Sequence, residues 1–279
     1  MNIKKYIYLF YVNYSSNLEI EVREMAIFLN EWFSVNGLML FSIGVIAAMI
    51  GVMFGAAGFV LLPAMLLVGV PIHATVAVNK FATGISSFTN VLTLIFKKKV
   101  ALKKMVPFMM MACFGGITGA FLATRLSEQI MNIMACIILT FSFFMVLKNN
   151  RKMEIDLEDN DEKKPSVITP FFISMYDGGF GPGSALMNIM YFLKNQHSYL
   201  KAVELTRFVM FSSCMSAFVF YYLYGIVDWG IAIPVTIGSI LGSHLGMKMV
   251  KYIKVKWLQI TLPAIFFLLI AQVVRDLLF

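Results

Sequence analysis

Gly51-Val52-Met53-Phe54-Gly55-Ala56-Ala57-Gly58 interrupts an apolar run that extends from Gly37 to Val70, with Pro63 just beyond the break. As one helix that run would be roughly 50 Å long, too much for a single crossing of a hydrocarbon core about 30 Å thick. Two shorter helices joined at a glycine-rich break fit better. The same pattern returns at residues 166–194, broken by Asp177-Gly178-Gly179-Phe180-Gly181-Pro182-Gly183. Full spans are predicted after the first break at about 74–96, 105–124 and 128–147, and after the second at about 202–224, 230–250 and 257–276.

Composition agrees with membrane insertion. Hydrophobic residues make up 59% of the 279 and charged residues only 14%, against about 25% charged in a soluble domain. The net charge of +8 does not point to nucleic acid, because the cations cluster at the ends of apolar segments, where orientation in a bilayer puts them. Cys113, Cys136 and Cys214 lie inside apolar segments without paired spacing and read as packing residues. His73, His197 and His244 lie far apart, so neither metal nor cofactor is expected.

The two broken segments belong to an internal repeat. At a shift of 127 positions Gly51 falls on Gly178, Lys80 on Arg207, Ser86 on Ser213 and Pro107 on Pro234, while Gly115 and Gly119 fall on Gly242 and Gly246. The chain divides into an N-terminal extension (1–36), a first membrane repeat (37–147), a charged linker (148–165) and a second membrane repeat (166–279). Charge bias then orients the halves. Lys97–Lys104 carries five cations and its counterpart 224–230 none, whereas the turn at Arg125 carries one and its counterpart Lys248–Lys256 four. Opposite bias at equivalent loops predicts inverted repeats. The expected fold is therefore an all-α polytopic membrane protein. Each half is a broken re-entrant helical hairpin plus three transmembrane helices, with basic loops cytoplasmic and both termini outside.

Irregular backbone is tolerated at membrane depth only where protein buries it or it lines a cavity, and matched breaks in two halves point to a transporter's central site. The half-helices after the breaks begin near Gly58 and Gly183, and their free N–H groups favour an anion. Lys80 and Arg207, equivalent under the repeat, read either as anion contacts or as cations reaching back to the interface. Candidate substrate-binding residues are Gly55, Gly58, Asn79, Lys80, Thr83, Gly181, Gly183, Ser184, Thr206, Arg207 and Ser213. Ser86, Ser87, Asn90 and Ser212 are further polar neighbours that bind helices together or reach ligand. Asp177 and Glu204 are candidate proton carriers, although Glu204 also has the i, i+3 spacing of a structural partner for Arg207. The Gly-x3-Gly pairs 115/119, 238/242 and 242/246 read as close helix contacts.

Several runs carry a family resemblance. Gly51-Val-Met-Phe-Gly-Ala-Ala-Gly-Phe-Val-Leu-Leu-Pro-Ala, Gly69-Val-Pro-Ile-His-Ala-Thr-Val-Ala-Val, Gly178-Gly-Phe-Gly-Pro-Gly-Ser, Lys201-Ala-Val-Glu-Leu-Thr-Arg, Gly225-Ile-Val-Asp-Trp and Gly238-Ser-Ile-Leu-Gly-Ser-His-Leu-Gly resemble the TauE/SafE sulfite-exporter family. The resemblance covers roughly residues 37–276, and the second-half motif is the more specific. Gly55-Ala56-Ala57-Gly58 departs from the richer glycine cluster usual at the first break. What the resemblance implies is transport of small sulfur oxyanions or organosulfonates, commonly as efflux driven by an ion gradient. The residues by themselves reach only a small anion.

The expectation is a secondary transporter rather than an enzyme, with the anion held between the two hairpin tips and approached by Lys80 and Arg207. The alternatives are an anion channel and an uptake permease for another small organic anion. Expected partners are that anionic substrate, the lipid bilayer of the cell membrane and a second copy of the chain as a homodimer, but no nucleic acid.

Overall fold

The computed structural model describes residues 35–134 and 166–250, apart from 128, 132 and 196. The N-terminal extension, the linker, the span expected at 257–276 and most of that at 128–147 lie outside the described residues. The first half contains α1 (Val35–Phe54), α2 (Ala57–Leu67), α3 (Ile72–Phe96) and α4 (Leu102–Ala123); the second contains α5 (Ile168–Gly179), α6 (Ser184–Lys194), α7 (Tyr199–Leu223) and α8 (Trp229–Met249). No strand occurs among the described residues.

Among the described residues four helices, within α1, α4, α7 and α8, are long and apolar enough to cross a membrane. α3 is as long as α7, at 25 residues. Its mean hydropathy is lowered by Asn79, Lys80, Ser86, Ser87 and Asn90, all of which are buried. Polar groups face inward here and apolar ones outward. α4 shows the same division: Met110, Phe114, Ile117 and Phe121 are exposed, while Ala112, Gly115, Gly116, Gly119 and Ala120 are buried. Large apolar side chains meet lipid and small ones let helices approach, because lipid supplies no hydrophobic drive for helix association.

The helix bounds keep the spacing expected of a repeat. α2, α3 and α4 begin at Ala57, Ile72 and Leu102, and α6, α7 and α8 begin at Ser184, Tyr199 and Trp229, each 127 positions on. Even the turns correspond. Lys98 has φ 52° and its counterpart Gly225 has φ 69°, a left-handed conformation that glycine adopts freely and lysine does not.

Packing follows the same exchange. α1 packs on α8 as α5 packs on α4; α8 packs on α3 as α4 packs on α7; and α3 and α7 pack on each other. Phe81 meets Phe218 and Phe88 meets Phe211, with ring centroids 4.6 and 5.1 Å apart. Positions advance along α3 as they retreat along α7, so these counterparts run antiparallel. The α1–α8 pair is parallel: a Cβ added at Gly238, Gly242 or Gly246 would meet the carbonyl oxygen of Phe41, Val45 or Met49 in turn. In α4–α5, Gly115 abuts the Phe171 carbonyl and Gly119 that of Met175.

Those carbonyls correct one detail of the repeat. Val45 pairs with Phe171 and Met49 with Met175 at a shift of 126, one less than elsewhere. The breaks differ in length as well: two residues separate α1 from α2, and four separate α5 from α6. Gly51 therefore occupies the structural place of Asp177, not of Gly178.

The second broken segment is a hairpin. The Tyr191 hydroxyl near the end of α6 donates to the Ser166 carbonyl, just before α5, at 2.6 Å. At 12 residues, α5 is about 18 Å long, short of a crossing. The first segment differs from the expected pair of short helices, because α1 has 20 residues, about 30 Å. Its apolar run continues back to Gly37 without a charged residue, whereas Lys163-Lys164-Pro165 precedes α5.

The small-residue contacts make a prediction. A Cβ at Gly119 would lie 1.9 Å from the Met175 oxygen, but at Gly230 the nearest atom is 3.3 Å away. Gly119→Ala is expected to lower thermal stability in detergent by about 1–3 kcal/mol, with Gly230→Ala unchanged. Equal melting curves for the two variants would contradict this packing.

Candidate functional site

Both breaks converge on one buried carboxylate. Asp177, in the last turn of α5, is 1% exposed and accepts from the ammonium of Lys80 on α3 at 3.0 Å. Ser184 at the start of α6 places its hydroxyl 2.6 Å from the same oxygen, Oδ1, and Ser213 on α7 donates to Oδ2 at 2.7 Å. The thiol of Cys214 lies 3.3 Å from Oδ2. A buried charge is sustained only when paired and hydrogen-bonded, and here the pairing ties α5 to α3, α6 and α7.

Glycine lets the backbones come this close. Gly181 has φ 96°, and a Cβ there would meet Lys80 Nζ at 2.7 Å. A Cβ at Gly58 would meet Pro182 Cα at 2.9 Å, and one at Gly55 would meet Leu186 N at 2.4 Å. The two breaks therefore touch each other.

Arg207 lies in a different electrostatic position from its counterpart. It is 3% exposed; its Nε donates to the Val203 carbonyl at 3.4 Å and its Nη2 has no hydrogen-bond partner. The acids among the described residues are committed elsewhere: Asp177 to Lys80, Glu204 to Lys99, and Asp228 to the N-terminus of α8. Among the described residues, Lys80 has an acid partner and Arg207 has none.

Arg207 lines two small neighbouring cavities, each with room for the centres of only about one or two waters. Of the residues predicted from sequence, Gly55, Gly58, Asn79, Thr83, Gly181, Ser184, Asp177 and Arg207 line the cavity between the breaks. Lys80 and Ser213 hold Asp177. Gly183, with φ 82°, is the N-cap of α6. Thr206 turns into its own helix, donating to the Ala202 carbonyl at 2.8 Å.

The expected Glu204–Arg207 pairing is corrected. Glu204 pairs with Lys99 at 2.9 Å, because the left-handed turn at Lys98 brings that lysine over the start of α7, where Lys201 also donates to the Lys99 carbonyl at 2.6 Å. Sequence reasoning passed over Met210 and Cys214, which line the cavity between the breaks, and Ser239 and Ser243 of α8, which line the other. The two serines alternate with the Gly238 and Gly242 packing glycines, whose signal masks them. Among the described residues no cluster suited to a metal ion occurs.

Comparison with known proteins bears on this arrangement. The family model described as sulfite exporter TauE/SafE matches residues 40–273. The "Probable membrane transporter protein ORF9" of Sinorhizobium sp. is 28% identical over 241 residues, 85% of this chain and 90% of the relative. A "Probable membrane transporter protein" of Haemophilus influenzae is 25% identical over 76% of this chain and 84% of its own length. Bacillus subtilis YdhB, likewise a "Probable membrane transporter protein", is 24% identical over 76% of this chain and 87% of its own. No solved structure matches the chain.

Proposed function

The chain belongs to the TauE/SafE sulfite exporter family of membrane transporters, and from that premise we propose that it is a secondary transporter for a small anion, sulfite or a related sulfonate, bound beside Arg207. The observation that carries the proposal is the uncompensated guanidinium. A cation held at 3% exposure with a free N–H and no acid partner among the described residues is strongly penalised in a poorly solvated interior. An anion that docks there relieves that penalty and accepts charge-assisted hydrogen bonds. Lys80, tied to Asp177, acts on the site from behind rather than as a second direct ligand.

Inverted repeats suit this reading. The antiparallel course of counterpart helices α3 and α7, and the opposite charge bias of equivalent loops, support a two-fold relation in the membrane plane. Basic loops then face the cytoplasm. Alternating access follows from one half moving against the other, with export driven by an ion gradient and Asp177 as the acid nearest the substrate.

Purified protein in proteoliposomes is expected to move radiolabelled sulfite or a short sulfonate, and an imposed pH gradient to change the rate. Absence of flux for every anion tried sinks the proposal. Steady anion current with no response to the gradient identifies a channel instead.

A further inference from the structure

The two halves hold their buried cations in counterpart positions, but only one supplies a carboxylate. Lys80 on α3 corresponds to Arg207 on α7 by the shift of 127, and Asp177 on α5 corresponds to Gly51 on α1 by the shift of 126 that the helix contacts impose. Where the second half has Asp177, the first half has no side chain at all. The residues that hold the Asp177 carboxylate also have counterparts: Ser213 corresponds to Ser86, Cys214 to Ser87 and Ser184 to Ala57.

Of these counterparts, Gly51, Ala57, Ser86 and Arg207 border a cavity, and Ser87 is the next residue along α3. The cavity on the α1–α8 side of Arg207 is lined by Gly51, Ala57, Thr83, Ser86, Ser239 and Ser243. Ser87 is 1% exposed, and its hydroxyl has no hydrogen-bond partner, like Nη2 of Arg207. Buried donors rarely stay unpaired. Ser174, Asn90 and Asn188 also carry unpaired buried atoms, but Arg207 and Ser87 are the counterparts of two groups that touch Asp177.

We propose that the substrate's oxyanion head sits in this cavity and takes, beside Arg207, Ser86 and Ser87, the place that the Asp177 carboxylate takes beside Lys80, Ser213 and Cys214. The inference rests on the anion-transport reading and specifies the side of Arg207 that is used and the α3 hydroxyls that serve as ligands. Charge favours that side. The cavity between the breaks includes Asp177 itself, whereas among the described residues no acid lines the one against α1 and α8. The cavity's chemistry suits a single head with carboxylate-like or sulfonate oxygens, because the lining offers hydroxyls and a guanidinium but no carboxylate for an ammonium group.

The test measures sodium sulfite binding to purified protein by calorimetry, with methanesulfonate as a second probe. Ser86→Asp puts an internal carboxylate into the cavity and is expected to abolish binding of both probes; Ser86→Asn, of the same shape without the charge, retains part of it. The conservative double variant Ser86→Ala/Ser87→Ala is expected to weaken sulfite binding roughly 10- to 100-fold, and it decides the matter if Ser86→Asp does not fold. Ser216→Ala, whose hydroxyl donates to the Cys113 carbonyl on α4, serves as a control and binds as the wild type does. Wild-type affinity in Ser86→Asp or in the double alanine variant overturns this placement while leaving anion transport intact. A wild-type protein that neither binds nor moves any anion overturns the transport reading itself.

Discussion

Arg207→Ala is expected to abolish anion flux while leaving the protein at least as stable as the wild type. Activity falls because a guanidinium offers several N–H donors in a fixed fork. Each hydrogen bond to a charged group contributes about 1.5–3 kcal/mol, so losing two of them weakens binding by roughly two to four orders of magnitude. Stability behaves in the opposite sense. In the empty protein Arg207 is buried with Nη2 unpaired, so removing it also removes a desolvated charge. Arg207→Lys keeps the charge but loses the fork and is expected to retain part of the flux. Radiolabelled sulfite efflux from proteoliposomes and thermal unfolding in detergent give the two readouts. Loss of folding together with flux in Arg207→Ala would show that the residue is structural.

Asp177→Ala is expected to have the reverse profile, with a large loss of stability. It strands the Lys80 ammonium at 0% exposure and removes the carboxylate that the hydroxyls of Ser184 and Ser213 reach, leaving them the Gly181 and Ser174 carbonyls at 2.7 and 3.4 Å. Breaking a buried pair from one side costs about 3–5 kcal/mol, whereas replacing both partners with apolar groups is often nearly neutral. Lys80→Met/Asp177→Ala is therefore expected to recover much of what Asp177→Ala loses, as read by thermal unfolding of the two single variants and the double in one detergent. Additive losses in the double variant contradict the pairing.

Much of this was legible in the chain because a duplication offers two readings of every element. The repeat shift anticipated the starts of α6, α7 and α8 from those of α2, α3 and α4, and hydrophobic runs delimited by glycine and charge gave the helices themselves. The breaks were legible because glycine at membrane depth has few other uses. What remained hidden depends on contacts between distant segments. Asp177 is 97 positions from Lys80, and nothing local joins them, while the local spacing of Glu204 to Arg207 gave way to a lysine 105 positions from the glutamate. The slip of one position between α1 and α5 was also hidden, because it shows only in which carbonyls the glycines of α8 and α4 meet, which ungapped alignment of the sequence does not measure. Without it, Asp177 falls opposite Ile50 instead of Gly51, and the missing carboxylate goes unnoticed.

The unequal breaks bear on the balance of the transport cycle. For a protein whose halves trade shapes to face one side and then the other, the trade is even only if the halves are alike. Here one hinge is four residues long and bolted through Asp177 to three other helices, and the other is two residues long with no such bolt. In the alternating-access cycle proposed above, the two facings would then stand at different heights, and the unloaded molecule would prefer one side.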